Sequence, residues 1–447
     1  MGSYEKAIII GGGISGKLAV RVLSDFFEEV LILERDQDTE GPLPRKGARQ
    51  GEHLHALLHA GQYGLEELFP GITEKFHQSG AVKINSTNDL AWFHHGAWKL
   101  RYDGGYTTTL QTRPHLEWHM NQYIKDIPNV TVLFNKEVKD YIYQADDNRI
   151  YGVEVKDLKD GAAITLTADL IVDASGSSSI SAAWFKKAGV QIPIEKVDIG
   201  LSYVSQMFQL TERQSRDWTI KLVYPNPPLE KIGGTISKVE NNRYMVTVIG
   251  YQNEIQEKEV LKSEGGFREL TKRLPKLDIY EEITSAVPLT NISVYRVPQI
   301  TWKRFEKMKE LPKGLLLIGD TVCRIDPVFG QGMSIAVIEA LALQEVFKSN
   351  QDSFQSKITS FHKKVSRIIK PIWEMVIAED FRYPGVTGKK PFALSIRQWY
   401  AKRIFLLSAQ SEEVYDSFIK VMNLTRPMEY LFRVPVVARV LSKFKVR

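Results

Sequence analysis

The sequence predicts an α/β fold: a buried parallel sheet, a second unit rich in strands, and a helical C-terminal region. Three observations predict it. Wholly apolar runs at residues 7–10, 30–33 and 315–318 suit strands buried on both faces. Residues 80–112 and 198–300 hold short strand-like runs broken by turn signals such as Asp103-Gly104-Gly105 and Asn241-Asn242. Residues 351–447 read mostly as helices with basic faces.

The elements follow in order. Residues 7–10 form a strand, Gly11 to Gly16 a tight turn, and Leu18, Ala19, Val22 and Leu23 recur at helical spacing. Residues 30–33 are the next strand, ending at Glu34. A loop rich in Pro, Gly and Arg covers 41–51, and residues 52–69 are expected to be helical, stopped by Pro70-Gly71. Further strands are expected at 130–134, 151–155, 170–173 and 315–318, and a helix from Gly332 to about Asn350. This divides the chain into a discontinuous unit at 1–75, 111–180 and 301–350, a strand-rich unit with a mixed sheet at 76–110 and 181–300, and a helical region at 351–447.

Bulk properties narrow the class. The chain has 447 residues, 43% hydrophobic and 25% charged, as in an ordinary globular protein with substantial cores. No apolar run is long enough to span a bilayer, and Met1 to Lys6 do not read as a signal peptide. Cys323 is the single cysteine, so no internal disulfide forms and a reducing cytoplasm is the expected compartment. Net charge is only +6, but from residue 361 onward 17 Lys and Arg face 7 Asp and Glu. Such a face is ordinarily just solvated; it also suits peripheral contact with an anionic membrane. Nucleic acid is not an expected partner.

The turn Gly11-x-Gly13-x-x-Gly16 lies between a predicted strand and helix, and Glu34 ends the following strand. This is the dinucleotide-binding pattern. Gly11 permits the turn, Gly13 lets a pyrophosphate approach the backbone, and Gly16 lets helix and strand pack closely. The helix start around Ile14 and Ser15 offers free N–H groups to phosphate. Glu34 would accept a hydrogen bond from an adenosine ribose, and Arg35 follows it. Gly11 to Lys17 also fits most of a P-loop, but Leu18 stands where that motif needs a hydroxyl for magnesium.

The segment Gly319-Asp320-Thr321-Val322-Cys323-Arg324-Ile325-Asp326-Pro327-Val328-Phe329-Gly330-Gln331-Gly332-Met333 resembles the second FAD motif of the group A flavoprotein monooxygenases, the para-hydroxybenzoate hydroxylase-like family. The resemblance implies that Asp320 holds the ribityl chain of FAD, that Pro327 lies near the reactive face of the flavin, and that N–H groups from Gly330 to Met333 meet its pyrimidine end. Asp173-Ala174-Ser175-Gly176 resembles the family's D-x-x-G motif near the cofactor phosphates. The Arg that often follows that Gly is Ser177 here, so the reducing electrons of NAD(P)H would arrive directly or through a separate flavin reductase. Arg113 resembles the family's basic residue beside the phosphates, and Arg45 and Val138 complete the candidate cofactor set. Arg45 to Leu58, and Glu379-Asp380-Phe381-Arg382-Tyr383-Pro384, resemble members of the epoxidase-like branch that act on polyenes and polyketides.

The implied fold is a Rossmann-like three-layer ββα FAD domain with an interleaved β-sheet substrate domain and a C-terminal helical region. The implied reaction takes O2 to a flavin C4a-hydroperoxide and passes one oxygen atom to an apolar small molecule, by epoxidation or hydroxylation. The cofactor carries that chemistry, so no catalytic acid or base is required. Pro327, Arg45, His53 and His55 are the flavin-proximal candidates. His55 and His59 are one helical turn apart on the expected helix, yet no further ligand set accompanies them, so no metal is expected. Trp92, Phe93, Tyr203 and Met207 either pack a core or line an apolar pocket. Residues 434–446 mix apolar and basic side chains and either dock on the body or lie on a membrane. Rival readings are a reductase, dehydrogenase or cyclase of the geranylgeranyl-reductase kind, and a flavin-binding module without turnover. The W-x-W-x-I-P motif of flavin halogenases is not in the chain.

Overall fold

The computed structural model describes residues 4–211, 216–262, 265–349 and 353–442. A five-stranded parallel sheet runs in the order Leu315–Leu317, Leu170–Asp173, Tyr4–Ile10, Phe27–Glu34, Val130–Phe134. Its inner strands are apolar without alternation because layers cover both faces. Helices Ile14–Leu23, Arg113–Lys125 and Gly332–Lys348 pack on it as one layer. An antiparallel sheet of Lys136–Gln144, Arg149–Asp157 and Ala163–Thr167 packs on Leu170–Asp173 and Phe27–Glu34 as the other. This is the α/β architecture the sequence predicts.

The second sheet centres on Ile194–Gln209, a 16-residue strand flanked by Ser293–Lys303 and Arg243–Gly250. The order continues through Ile232–Val239 and Ile220–Val223 to Leu90–His94, which joins in parallel. Side chains alternate across this sheet. Val204 and Phe208 point to a core shared with Phe267, Leu270, Ile279 and Ile283, and Tyr203 points the other way. The core-forming partners sit on helices Gly266–Thr271 and Asp278–Ile283, inside a region expected to be strand-rich. Their apolar residues recur at helical spacing, a signal masked by the short, polar-rich segments between them.

A second expectation is corrected at residues 52–69. The helix spans only His59–Leu68; Lys46–Glu52 is a 3-10 turn, and the chain between them is not helical. Neighbours replace the helical hydrogen bonds there: Leu54 N–H donates to Thr247 Oγ1 at 3.3 Å and Leu58 N–H to Ser334 Oγ at 3.0 Å. His55 and His59 therefore do not share a helix face.

The C-terminal region is helical, beginning with Phe354–Asp380, which packs on Gly332–Lys348. Helices Leu394–Leu407, Glu412–Met422 and Val434–Leu441 bury Phe405, Tyr415, Phe418, Val436 and Val440 against Trp92. Val434–Leu441 is thus docked on the body, and residues 443–446 lie outside the described residues. No helix among the described residues is long and apolar enough to cross a membrane.

Candidate active site

A cleft of about 890 Å³ opens where the parallel strands end. The helix starts at Ile14 and at Gly332 both line it. Neither has a side-chain cap or an acidic residue in its first turn. Two sets of backbone donors and two positive helix ends therefore face one space, which suits an anionic ligand. The two motifs that form these ends touch: a Cβ on Gly319, at φ +67°, would fall 2.1 Å from Ser15 Oγ. Gly13, Gly176 and Gly332 have no atom within 4 Å of where a Cβ would stand, so their backbone is open to the cleft.

Most of the sequence-predicted residues meet here. Gly11, Gly13, Ile14, Ser15, Glu34, Arg35, Arg45, Arg113, Val138, Ala174, Gly176, Gly319, Asp320, Pro327, Gly330, Gly332 and Met333 line the cleft, together with His53 and His55. Gly16 lies behind them, its Cβ position 1.9 Å from the Gly11 carbonyl oxygen, so only glycine permits that packing. These residues fit an extended dinucleotide such as FAD. The lining combines Glu34 and Arg113, the open Gly13 and Gly176 backbones, and Asp320 with the Gly330–Met333 turn.

One expected cofactor residue faces inward instead. Asp173 is fully buried and does not line the cleft. Its carboxylate accepts from Ser175 N–H at 2.9 Å, Ser181 N–H at 3.0 Å and the Tyr141 hydroxyl at 3.2 Å. It ties the turn that presents Ala174 and Gly176, acting on the fold rather than on a ligand. Arg45 lines the cleft and is held there by carboxylates. It pairs with Glu34 at 2.9 Å, Asp36 at 3.5 Å and Glu117 at 2.5 Å. Glu34 also accepts Gly12 N–H at 2.8 Å and Asp36 N–H at 2.8 Å.

Glu117 is a residue the sequence reading missed, although its i,i+4 spacing from Arg113 was a usable signal. It is buried and pairs with Arg113 at 2.7 Å, Arg45 and Lys17 at 3.7 Å. Burial opposes its charge, but Arg113, Lys17 and Arg45 together hold its pKa well below the carboxylate range. Lys17, which could suggest a P-loop, is turned onto the Gly12 carbonyl and Glu117, and burial brings it down to about 8.

Near Pro327, His53 Nδ1 lies 2.7 Å from Ser205 Oγ, and its ring packs on Tyr203 and Tyr295. Burial lowers its pKa to about 4, so the imidazole is neutral at pH 7. His55 is lowered to about 3 by burial and by the Arg113 charge. Glu339 receives Gly319 N–H at 2.8 Å and is pushed up to about 7 by burial. Cys323 also lines the cleft, and burial raises its thiol well above the ordinary value, which disfavours a nucleophilic role.

A second, apolar cavity of about 640 Å³ lies beside the cleft. Leu54, Ala56, Tyr203, Pro327 and Gly330 line both spaces and so form the wall between them. Its other walls come from Ile84, Leu90, Trp92, Leu222, Tyr224, Ile249, Met375, Tyr400, Phe405, Phe418, Met422 and Leu431, from the second sheet and its surroundings and from the C-terminal helices. Of the four aromatic and Met candidates, Trp92 and Tyr203 line the cavity, whereas Phe93 and Met207 pack in cores.

Comparison with known proteins agrees with this geometry. A family model described as an FAD binding domain matches residues 4–350. Protein Rv3254 of Mycobacterium tuberculosis is 24% identical over 455 residues, which cover 98% of this chain and 93% of that protein. The crystal structure of PqsL, a probable FAD-dependent monooxygenase from Pseudomonas aeruginosa, superposes with a TM-score of 0.63 at 15% identity, covering 86% of this chain and 99% of that one. The myxobacterial chondrochloren halogenase CndH gives a TM-score of 0.65 at 17% identity, covering 96% and 92%.

Proposed function

The chain belongs to the FAD-binding-domain family of group A flavoproteins and is an FAD-dependent oxidoreductase; from this we propose that it is a monooxygenase acting on an apolar small molecule by epoxidation or hydroxylation. The observation that carries the proposal is the shared wall. An apolar cavity meets the cofactor cleft at Pro327 and Gly330, the segment resembling the family's flavin-ring motif. When bound, reduced FAD supplies the reaction with O2 from which one oxygen atom is transferred. The protein's own residues do the rest. The two uncapped helix starts would hold the negative charge of the phosphates and of the reduced ring. Asp320 would accept ribityl hydroxyls, and the Arg45–Glu34 pair would border the ribose. The apolar walls exclude water from the transfer.

A nicotinamide cofactor is the proposed electron source. Exposed Ser177, in place of the family's Arg, supports delivery through a separate flavin reductase. The cavity mouth supports a lipophilic substrate drawn from a membrane. Ile396, Arg397 and Phe432 line it, and the same helical region exposes Phe392, Trp399 and Val434 and carries Lys390, Lys402 and Arg426. Sedimentation with anionic vesicles, reversed by salt and weakened in Phe392→Ser/Phe432→Ser, tests that point; no binding at low salt removes it.

The test of the reaction is isotopic. The reduced enzyme is incubated under labelled dioxygen with a lipophilic extract, and products are read by mass spectrometry. One labelled oxygen atom in an organic product supports the proposal. Turnover that consumes O2 but yields only labelled peroxide contradicts it.

A further inference from the structure

Two carboxyl groups from the two motifs singled out in the sequence meet inside the molecule without entering the reading above. Asp326 directly precedes Pro327, and Asp380 ends the Phe354–Asp380 helix. Asp326 is fully buried and well supplied with donors: Val328 N–H at 2.9 Å and the Tyr251 hydroxyl at 2.8 Å. Asp380 is 2% exposed, lines the apolar cavity, and neither of its oxygens has a donor. Arg382, two residues on, is engaged by Glu379 through contacts of 2.6 and 2.8 Å.

Two carboxylates sharing so dry a site cannot both ionise. Burial raises both, Asp380 further, with Asp326 and Glu379 adding to the rise at Asp380. A shared proton is therefore favoured on Asp380, while the donors to Asp326 stabilise the charge there. That leaves the second Asp380 oxygen as a neutral acceptor facing the cavity. The Tyr203 hydroxyl, also buried and without a partner, lies on the wall shared with the cleft, close enough for Asp326 and Asp380 to act on it electrostatically. The unpaired Asp380 acceptor and Tyr203 hydroxyl, which line the cavity with other unpartnered polar atoms on Ser86, Trp92, His94, His95 and Thr235, call for a ligand that can donate to one and accept from the other.

We propose that Asp380, held by Asp326 and joined by Tyr203, is a recognition site for a neutral hydroxyl group carried on an otherwise apolar substrate. The proposal rests on the reading of the cavity as the substrate site. An alcohol or phenol satisfies both groups, an ether can only accept, and an alkane does neither. Bound there, the hydroxyl anchors the molecule beside Pro327 and selects which carbon faces the cofactor.

The experiment titrates the FAD-loaded protein with n-octanol, octyl methyl ether and octane, following the flavin absorbance. Octanol is expected to bind about five- to tenfold more tightly than the ether, the value of one net hydrogen bond. Asp380→Leu should abolish that difference. Asp380→Asn should keep it, because the amide donates to Asp326 and still presents a carbonyl oxygen. Retention of FAD by both variants shows that they fold. Equal binding of octanol and ether by the wild type, or an unchanged preference in Asp380→Leu, overturns the hydroxyl site and leaves the cavity reading standing. No spectral response to any of the three probes overturns both.

Discussion

Replacing Gly13 with alanine separates cofactor binding from folding. Gly13 has φ −75° and ψ −174°, which alanine adopts freely, and a Cβ there meets nothing within 4 Å. The cofactor-free protein should keep its stability within about 0.5 kcal/mol. The new methyl, however, stands in the space through which a pyrophosphate would reach the N–H groups of the Ile14–Leu23 helix. Loss of one charge-assisted hydrogen bond costs about 1.5–3 kcal/mol, or roughly ten- to hundredfold in FAD affinity. Gly16→Ala is the contrasting variant, since its Cβ would lie 1.9 Å from the Gly11 carbonyl oxygen. Backbone must shift, and the cofactor-free fold should lose about 1–3 kcal/mol. Urea unfolding of the cofactor-free variants and calorimetric titration with FAD read the two effects. Wild-type FAD affinity in Gly13→Ala, or a stability loss matching that of Gly16→Ala, would refute the placement of the phosphates.

Other consequences follow from the same geometry. Asp320→Ala should weaken FAD binding by about 1–3 kcal/mol, through loss of a charged acceptor for a ribityl hydroxyl; equilibrium dialysis measures it, and unchanged affinity places the ribityl chain elsewhere. Glu117→Gln leaves Lys17, Arg45 and Arg113 around a neutral group and should cost about 3–5 kcal/mol in urea unfolding. His362 is buried with no partner at Nε2, and burial lowers its pKa from 6.5 to about 4. The unfolded chain binds that proton first as pH falls, so stability present above pH 6.5 is lost on the way down through about pH 4. His362→Leu should flatten the acid-side fall by up to about 1.4 kcal/mol per pH unit across that window; parallel curves for the two proteins would exclude the effect.

The parts of the site legible in the sequence are those whose chemistry lies in a few consecutive residues. The glycine turn and the Gly319–Met333 segment each combine a strand end, a tight turn and a helix start, and their glycines mark where backbone must stay bare. Asp173 was legible as a motif member but not as an inward-facing one. Its direction is decided by Ser181 and Tyr141, which arrive from other elements. The partners of Arg45 were illegible for a similar reason: Glu34 and Glu117 come from other elements. Residues 53–58 carry a helix-like apolar pattern, but those apolar side chains serve the cavity wall, not a helix stripe. The cavity was legible only in part: Trp92 and Tyr203 were candidates for its lining, whereas Ile84 and Phe418 join it from distant parts of the chain.

The central claim is that the cleft holds FAD in a setting that directs its reaction with O2 toward oxygen transfer. Rapid mixing tests it most directly. The FAD-loaded protein is reduced without air, mixed with oxygenated buffer, and followed by absorbance. The account predicts a transient species that forms before the oxidised flavin spectrum returns, with its lifetime altered by an apolar ligand in the cavity. A single-step return to oxidised flavin, with or without such a ligand, would contradict it.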